Sequence, residues 1–273
     1  MGDEKFIDIE KIISSKNPSL LKWLPSFIIK YLKRILHQKE INQFLVDNKH
    51  NYNQDFCLST LKLLNANVEI IGKENIPKEG KVVLAMNHPL GGMDAMALVS
   101  ALKGHREDLK FIVNDILLHL KNLNDIFLGI NKHGRNGLSI KQQLDELFSK
   151  DAAICIFPAG LVSRKIDGEV MDLDWKKSFV SLSKKHERTI IPVYIDGHLS
   201  PFFYRLSNFR KKIGVKANIE MLYLSNEFFK LKGQKIRIIV GEPISNSLLD
   251  KEKNDRKIAK IIKEKVYELK KRF

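Results

Sequence analysis

The chain has 273 residues, and its 47 Lys and Arg outnumber its 32 Asp and Glu, which gives a formal net charge of +15. A chain of this length buries enough surface to fold without disulfides or a structural metal, and its two cysteines are too few for a disulfide framework. The positive charge predicts an anionic partner: nucleic acid, an anionic membrane, or an acidic protein or substrate.

Residues 1–66 have the sequence pattern of helices. After Pro25 the apolar residues recur at three- and four-residue spacing, while Lys30 and Arg34 fall on the opposite side. The apolar positions are Leu24, Phe27, Ile28, Tyr31, Leu32, Ile35 and Leu36. Such a helix either lies in a membrane interface or packs its apolar stripe on the core of its own protein. We predict a helical, membrane-associating segment over residues 1–66 and a second domain over residues 67–273.

The sequence contains no run of about 18 apolar residues, the length that crosses a bilayer. Its start, MGDEKFIDIEK, lacks the basic flank and apolar stretch of a signal peptide. Both observations predict a protein that stays in the cytoplasm.

From Val68 onward, short apolar runs alternate with segments of helical spacing. The predicted strands are VEII (68–71), VVLAM (82–86), KFIV (110–113), IFLGI (126–130), AICIF (153–157), IIPVYI (190–195), IEMLYL (219–224) and KIRIIV (235–240). The predicted helices are DAMALVSALKG, LSIKQQLDELFSK, DWKKSFVSLSKKHE and a long basic helix over residues 250–272. This alternation predicts an α/β fold: a mainly parallel twisted sheet flanked by helices, with an N-terminal helical segment.

The segment VVLAMNHPLGGMD runs from a predicted strand into a loop that carries His88 and Asp94. Gly91 and Gly92 allow the backbone to double back, so that the Asp94 carboxylate reaches the imidazole and fixes its tautomer. The other ring nitrogen of His88 would then serve as a general base. The alternative is an ordinary turn in which Asp94 caps the next helix and His88 has only a structural role.

NHPLGGMD, FPAG and IIPVYIDG occur in the order and spacing of the glycerolipid and lysophospholipid acyltransferase family, which the chain resembles over residues 68–245. The resemblance implies that His88 is the general base in a His-x₄-Asp block, although here five residues separate it from Asp94. It also implies that Arg135, in GINKHGRN, holds an acidic headgroup. The family's fourth block, a strand that ends at proline, is matched by residues 191–193.

The family's third block usually reads Phe-Pro-Glu-Gly, and here it is FPAGLVSRK. Gly160 matches, whereas Ala159 replaces the carboxylate, so that Ser163, Arg164 and Lys165 remain as predicted substrate-binding residues. An Ala neither repels an anion nor pairs with a cation, so the change alters what the site binds. The segment is similar to bacterial proteins that add the ester-linked chain to amino-acid lipids such as glycine or ornithine lipids.

The resemblance implies an O-acyltransferase of membrane lipid biosynthesis that moves a fatty acyl group from acyl-ACP or acyl-CoA to a hydroxyl of an acidic lysolipid. His88 and Asp94 are the predicted catalytic pair, and the Gly91 and Gly92 amides are candidates to stabilise the oxyanion. We expect no metal and no bound cofactor, since the thioester is a co-substrate. The expected location is peripheral, on the cytoplasmic inner face of an anionic membrane.

Two rival functions remain at this point. The first is a nonenzymatic basic protein that binds membranes or nucleic acid; the chain has the charge for this, but no zinc-finger spacing or aromatic RNA-binding signature, so we expect no nucleic acid. The second is a hydrolase with His88 and Asp94 as metal ligands, which lacks the further ligands that a metal requires.

Overall fold

A seven-stranded sheet forms the centre of the fold. The computed structural model describes residues 6–113, 120–129, 140–244, 247, 249 and 252–272. Its strands are β1 (Asn67–Ile71), β2 (Val82–Met86), β3 (Leu109–Val113), β4 (Phe127–Gly129), β5 (Ala153–Ile156), β6 (Arg164–Ile166), β7 (Glu169–Met171), β8 (Thr189–Asp196) and β9 (Lys235–Val240). The large sheet has the order β1-β9-β8-β2-β5-β3-β4, and β6 pairs with β7 alone. All its neighbours are parallel except β8 and β9, which confirms the predicted mainly parallel sheet.

Helices precede the sheet and connect its strands. They are α1 (Ile9–Lys16), α2 (Pro18–Trp23), α3 (Ser26–Ile35), α4 (Gln38–Asp47), α5 (Asn53–Leu63), α6 (Gly92–Ala101), α7 (Ile140–Ser149), α8 (Ser178–Lys185), α9 (Pro201–Lys212), α10 (Leu224–Lys230) and α11 (Asp255–Glu268). The predicted helices that follow Pro25 and β2, precede β5 and β8, and close the chain are thus confirmed. Within the described ranges, every helix is too short or too polar to cross a bilayer.

The sheet has helices on both faces. Side chains alternate between the two faces of a strand, so neighbouring residues of β2 enter different layers. Val83 and Ala85 join the core formed with α7, α8 and α11, whereas α6 packs on α5 and on β1. All five residues of β2 are buried, because β2 is a central strand covered on both faces.

The predicted strand IEMLYL is wrong: residues Ile219–Tyr223 form a 3₁₀ helix that continues into α10. Apolar alternation would place Glu220 outward, yet Glu220 is fully buried and accepts hydrogen bonds from the Arg210 guanidinium of α9. Ile219 and Leu222 are exposed instead. The buried ion pair fixes this segment against α9, since an unpaired charge would be costly in the interior.

The hairpin β6–β7 was not predicted from the sequence. Arg164 pairs with Met171 and Ile166 with Glu169 across two three-residue strands, with Asp167 and Gly168 at positive φ in the turn. Strands this short carry almost no periodic signal. The hairpin places Arg164 and Lys165 directly after the FPAG segment.

The chain divides into two compact units. One contains residues 1–51 and 199–232, and the other contains residues 52–198 and 233–273 with the whole sheet. In the helical unit, the Tyr31 and Tyr223 hydroxyls lie 2.7 Å apart. The predicted functional division at residue 66, with a membrane-associating segment before it, stays a prediction.

Candidate active site

The loop after β2 lies at the carboxyl end of the parallel strands, the edge at which open α/β sheets bind ligands. Ala85 of β2 pairs with Ile156 of β5, and the chain leaves both strands on the same side. His88 and Phe157 follow these positions, so the strand register brings them together. Their rings stack with centroids 3.9 Å apart and an interplanar angle of 21°.

His88 contacts Asp94 directly, as predicted, although five residues separate them. Nδ1 of His88 lies 2.8 Å from Oδ2 of Asp94, whose side chain is fully buried, whereas the His88 side chain is 17% exposed. An ionised Asp94 accepts the Nδ1 proton and so fixes the tautomer in which Nε2 has a lone pair. Among the residues that the structure describes, Nε2 has no hydrogen-bond partner.

The Asp94 carboxylate accepts hydrogen bonds from the loop before α6 and does not cap the end of that helix. The Leu90 amide donates to both of its carboxylate oxygens, at 3.2 and 3.0 Å. Gly91 is the N-cap residue, and no side chain of the described ranges caps this helix end. Gly91 has φ 66° and ψ −133°, a conformation that side chains disfavour, which explains why a glycine stands at this point. The interpretation of Asp94 as a helix cap is therefore wrong.

Burial governs the charge of Asp94. It raises the pKa of the carboxyl to about 6, above its usual value of 3.8, because a buried carboxylate loses its hydration. The hydrogen bond from His88 and the Leu90 amide oppose this shift, and the nearby Asp172 charge adds to it. The carboxylate is therefore ionised at neutral pH but becomes protonated in mildly acidic solution.

A second buried carboxylate, Asp172, holds the main chain of His88. It accepts hydrogen bonds from the His88 amide at 3.2 Å, the Ser163 hydroxyl at 2.5 Å and the Trp175 indole at 2.9 Å. The Ser163 amide in turn donates to the His88 carbonyl at 2.8 Å. The main-chain N–H and C=O of His88 are thus both fixed by a segment about 80 residues further along the chain.

The closing helix anchors Asp172. The Tyr267 hydroxyl lies 2.7 Å from the Asp172 amide, and Nζ of Lys263 donates to the Asp172 carbonyl at 2.7 Å. Burial raises the pKa of the Asp172 carboxyl, while its hydrogen bonds from Ser163 and Trp175 lower it. Sequence reasoning missed this residue, because MDLDW has no feature that separates a buried acid from a surface acid.

Asn87, which the sequence analysis also missed, fixes the exit from β2. Its side-chain amide donates to the Ile195 carbonyl at 2.9 Å and accepts from the Ile195 amide at 2.7 Å. An Asn side chain can pair like a backbone peptide, so it prolongs the contact between β2 and β8. The main chain is therefore held in place where it leaves β2 and reaches His88.

Three of the predicted substrate-binding residues lie beside this loop or in the hairpin that follows. Ser163 is fully buried with its hydroxyl on Asp172, and the buried Arg164 guanidinium donates to the Val162 carbonyl. Lys165 is exposed on β6. Their assignment to substrate binding stays a prediction.

Gly160 has φ 71°, and Nζ of Lys176 lies 3.1 Å from the position a Cβ would occupy there. Lys176 is exposed, and its amide donates to the Pro158 carbonyl, so a cation lies beside the FPAG turn. Arg135, predicted to hold a headgroup, lies outside the described residues. Among those residues, no group of three or more His, Cys, Asp or Glu is placed to hold a metal ion, so the hydrolase alternative has no candidate site there.

Comparison with known proteins identifies the family. An acyltransferase family model matches residues 11–273. The chain belongs to this acyltransferase family. The resemblance found in the motifs and the predicted O-acyltransferase class are thereby confirmed, and the rival of a nonenzymatic basic protein loses its support.

Two curated relatives of this acyltransferase carry the name lyso-glycine lipid O-acyltransferase. The protein from Bacteroides thetaiotaomicron is 40% identical over 264 residues, which cover 96% of this chain and 97% of the relative. The protein from Phocaeicola vulgatus is 40% identical, with 96% and 95% covered. The structure of the 1-acyl-sn-glycerophosphate acyltransferase PlsC from Thermotoga maritima matches with a TM-score of 0.50 at 21% identity, covering 97% and 94% of the chains, and shows the same fold.

We expect Asp172→Asn to impair the acyltransferase. An amide offers one acceptor oxygen where the carboxylate offers two, so one of the donors from His88, Ser163 or Trp175 is left unpaired, at a cost of about 1–3 kcal/mol. The variant should unfold at a lower urea concentration. Because one negative charge near Asp94 is lost, the pKa of Asp94 falls, and the acid limb of kcat/KM should move to lower pH.

Asp174→Asn is the matched control, since Asp174 is exposed two residues further on. It should leave stability and the pH profile unchanged. If kcat/KM of Asp172→Asn declines at the same acidic pH as that of the wild type, the charge of Asp172 does not affect the pKa of Asp94. This conclusion holds whatever stability the variant loses.

Proposed function

We propose that this acyltransferase transfers a fatty acyl group from a thioester donor to the hydroxyl of a lyso-glycine lipid, in membrane lipid biosynthesis. One observation carries the proposal: a His88–Asp94 pair in which Nε2 has no hydrogen-bond partner among the described residues, in a chain 40% identical over 96% of its length to two proteins named lyso-glycine lipid O-acyltransferase.

The reaction begins with proton removal. Asp94 holds the Nδ1 proton, and Nε2 of His88 accepts the proton of the acceptor hydroxyl. The oxygen attacks the thioester carbonyl, a C–O bond forms, and the tetrahedral intermediate expels the thiolate as the C–S bond breaks. The imidazolium returns its proton to the thiolate, so that the products are an ester and a free thiol. No metal and no bound cofactor takes part in these steps.

The N-terminus of α6 is suited to stabilise the oxyanion. The main-chain amides of Gly91 and Gly92 lie where the loop enters the helix, and the helix dipole favours negative charge there. Phe157 covers one face of the imidazole and so limits its rotation. Negative charge that develops on the thioester oxygen is then close to donors that need no rearrangement.

The acceptor headgroup carries a carboxylate, and basic residues near the FPAG segment bind it. Ala159 removes the acidic side chain that would repel this carboxylate, and Lys176 supplies a cation beside Gly160. Lys165 follows in the hairpin, and Arg135 belongs to the set implied by the family resemblance. The same resemblance implies Ser163 and Arg164, whose buried side chains donate to Asp172 and to the Val162 carbonyl. A cationic environment favours an acidic lysolipid over a zwitterionic one.

Lys176→Gln tests the headgroup contact. We expect KM for the lyso-glycine lipid to rise about 2- to 5-fold with little change in kcat, because a uniform binding interaction is lost. Lys177→Gln is the matched control, since Lys177 is the exposed neighbour, and it should behave like the wild type. If both substitutions raise KM equally, Lys176 contributes only to the overall positive charge of the surface and does not contact the headgroup.

The acyl donor is acyl-ACP or acyl-CoA. Acyl carrier protein is acidic, and the net charge of +15 would steer it to this surface. The purified protein should be offered lyso-glycine lipid and lysophosphatidate, each with acyl-ACP and with acyl-CoA, and the products identified by mass spectrometry. Failure to acylate either acceptor with either donor would contradict the proposal.

The enzyme acts at an anionic membrane surface, peripherally and on the cytoplasmic side. In α3, Phe27 is 67% exposed, and Trp23, just before it, is 86% exposed. Phe27, Tyr31, Lys30 and Arg34 line a surface depression of about 470 Å³. Aromatic side chains with interleaved cations are typical of a helix at a membrane interface.

A further inference from the structure

The outer face of α9 exposes apolar side chains that no described element covers. Phe202, Phe209 and the C-cap residue Ile213 are 46%, 59% and 56% exposed. Their spacing of seven and four residues places them on one side of a helix. The opposite side, with Phe203, Ser207 and Arg210, is buried. A row of large exposed apolar residues normally marks a binding surface.

Cations flank this row. Arg205 and Lys212 lie four residues before and three residues after Phe209, and both are exposed. The basic residues of the segment Leu199–Lys232 are Arg205, Arg210, Lys211, Lys212, Lys216, Lys230 and Lys232. Its acidic residues are Glu220 and Glu227, both buried and paired with Arg210 and Lys230. The exposed surface of this segment therefore carries positive charge and no acid.

The surface continues into that of α3 within the same unit. Phe202 packs edge-on against Tyr223 with ring centroids 4.9 Å apart, and the Tyr223 hydroxyl contacts the Tyr31 hydroxyl of α3 at 2.7 Å. Two segments about 190 residues apart in sequence thus expose adjoining aromatic side chains. Neither segment alone presents so wide an apolar and basic surface.

We propose that the outer face of α9, defined by Phe202, Arg205, Phe209, Lys212 and Ile213, is a second membrane-docking element that inserts into an anionic bilayer. The apolar side chains enter the acyl boundary, while the Arg and Lys side chains extend to lipid phosphates. Charge complementarity supports an anionic bilayer, because its lipid phosphates pair with Arg205 and Lys212 while its acyl region takes up the apolar row. This inference concerns vesicle binding and does not depend on the acyl acceptor or on the chemistry of His88.

The test compares sedimentation of the full-length protein with vesicles of phosphatidylcholine alone and with vesicles of equal parts phosphatidylcholine and phosphatidylglycerol, without substrate. Phe209→Ser combined with Ile213→Ser should lower the partition coefficient on anionic vesicles by about 10- to 100-fold. Arg205→Gln combined with Lys212→Gln should lower it about 30-fold on anionic vesicles only. An unchanged melting temperature establishes that the variants fold.

Leu63→Ser combined with Ile71→Ser is the matched control, because these two apolar side chains are also exposed, at 41% and 42%, and lie on the sheet unit. This control should bind like the wild type. If the control loses as much binding as the α9 variant, α9 is not a docking element. The same conclusion follows if the α9 variant binds normally while Phe27→Ser does not. Neither result affects the proposed acyl transfer. If the wild type binds oligonucleotides but neither kind of vesicle, the surface serves nucleic acid and the inference is overturned.

Discussion

Replacing His88 with Ala is expected to lower kcat by about 10²- to 10⁴-fold, the usual contribution of a positioned general base. The loss should appear in kcat more than in KM, because proton removal occurs in the transition state and contributes little to binding of the acceptor. The measurement is acyl transfer to lyso-glycine lipid, followed by mass spectrometry. Full activity of the variant would end the proposed mechanism.

Chemical rescue distinguishes a lost base from a damaged loop. His88→Ala leaves a gap between Phe157 and Asp94, and free imidazole of similar shape should enter it and restore part of the activity. His50→Gln is the matched control, since His50 is exposed in the helical unit, and it should retain full activity. A failure of rescue together with a lowered melting temperature would favour a structural role for His88.

Asp94→Asn should reduce kcat/KM by about 10²- to 10⁴-fold, because an amide nitrogen that faces Nδ1 of His88 would favour the wrong tautomer. In the wild type, kcat/KM should decline as the pH falls through about 6, the raised pKa of Asp94, since a protonated carboxyl no longer stabilises the imidazolium. The variant should lack the part of this decline that Asp94 contributes, so its acid limb should be displaced from that of the wild type. A pH profile with the same acid limb in both proteins would contradict the assignment to Asp94.

The same pKa shift affects stability in the direction opposite to its effect on activity: activity declines as the pH falls, whereas the stabilisation declines as the pH rises. The folded state raises the pKa of Asp94 from 3.8 to about 6, so the folded protein binds this proton more tightly than the unfolded chain. The resulting stabilisation is fully present below pH 3.8 and is lost as the pH rises through about 6. Relative to the wild type, Asp94→Asn should therefore be less stable at pH 5 than at pH 8, which urea unfolding at both pH values will measure.

The catalytic pair was predictable because its geometry is local. Asp94 follows His88 with five residues between them, and the two glycines among these leave few ways for the chain to reach the next helix. The sequence could not reveal that Leu90 donates to both Asp94 oxygens, nor that the carboxylate is fully buried. Those properties arise from packing around the loop, and they set the pKa on which the predicted pH profile depends.

The wrong strand at residues 219–224 has a related cause. Its apolar residues fit a strand by local spacing, but the buried ion pair of Glu220 with Arg210 decides its conformation. A charged residue is ordinarily assigned to the surface, and only a partner from another element reverses that assignment. Ser163 is similar: it has the chemistry of a substrate contact, yet its hydroxyl is buried on Asp172.

The sequence by itself determined the alternation of helices and strands, the order of the acyltransferase motifs and the identity of the proposed base and its partner. These depend on periodicity and on residues close together in the chain. Only the tertiary structure brought Phe157 onto the His88 ring, placed Asp172 beneath the His88 main chain and exposed the outer face of α9. Strand order and register decide which distant segments meet, and periodicity within a segment does not encode them.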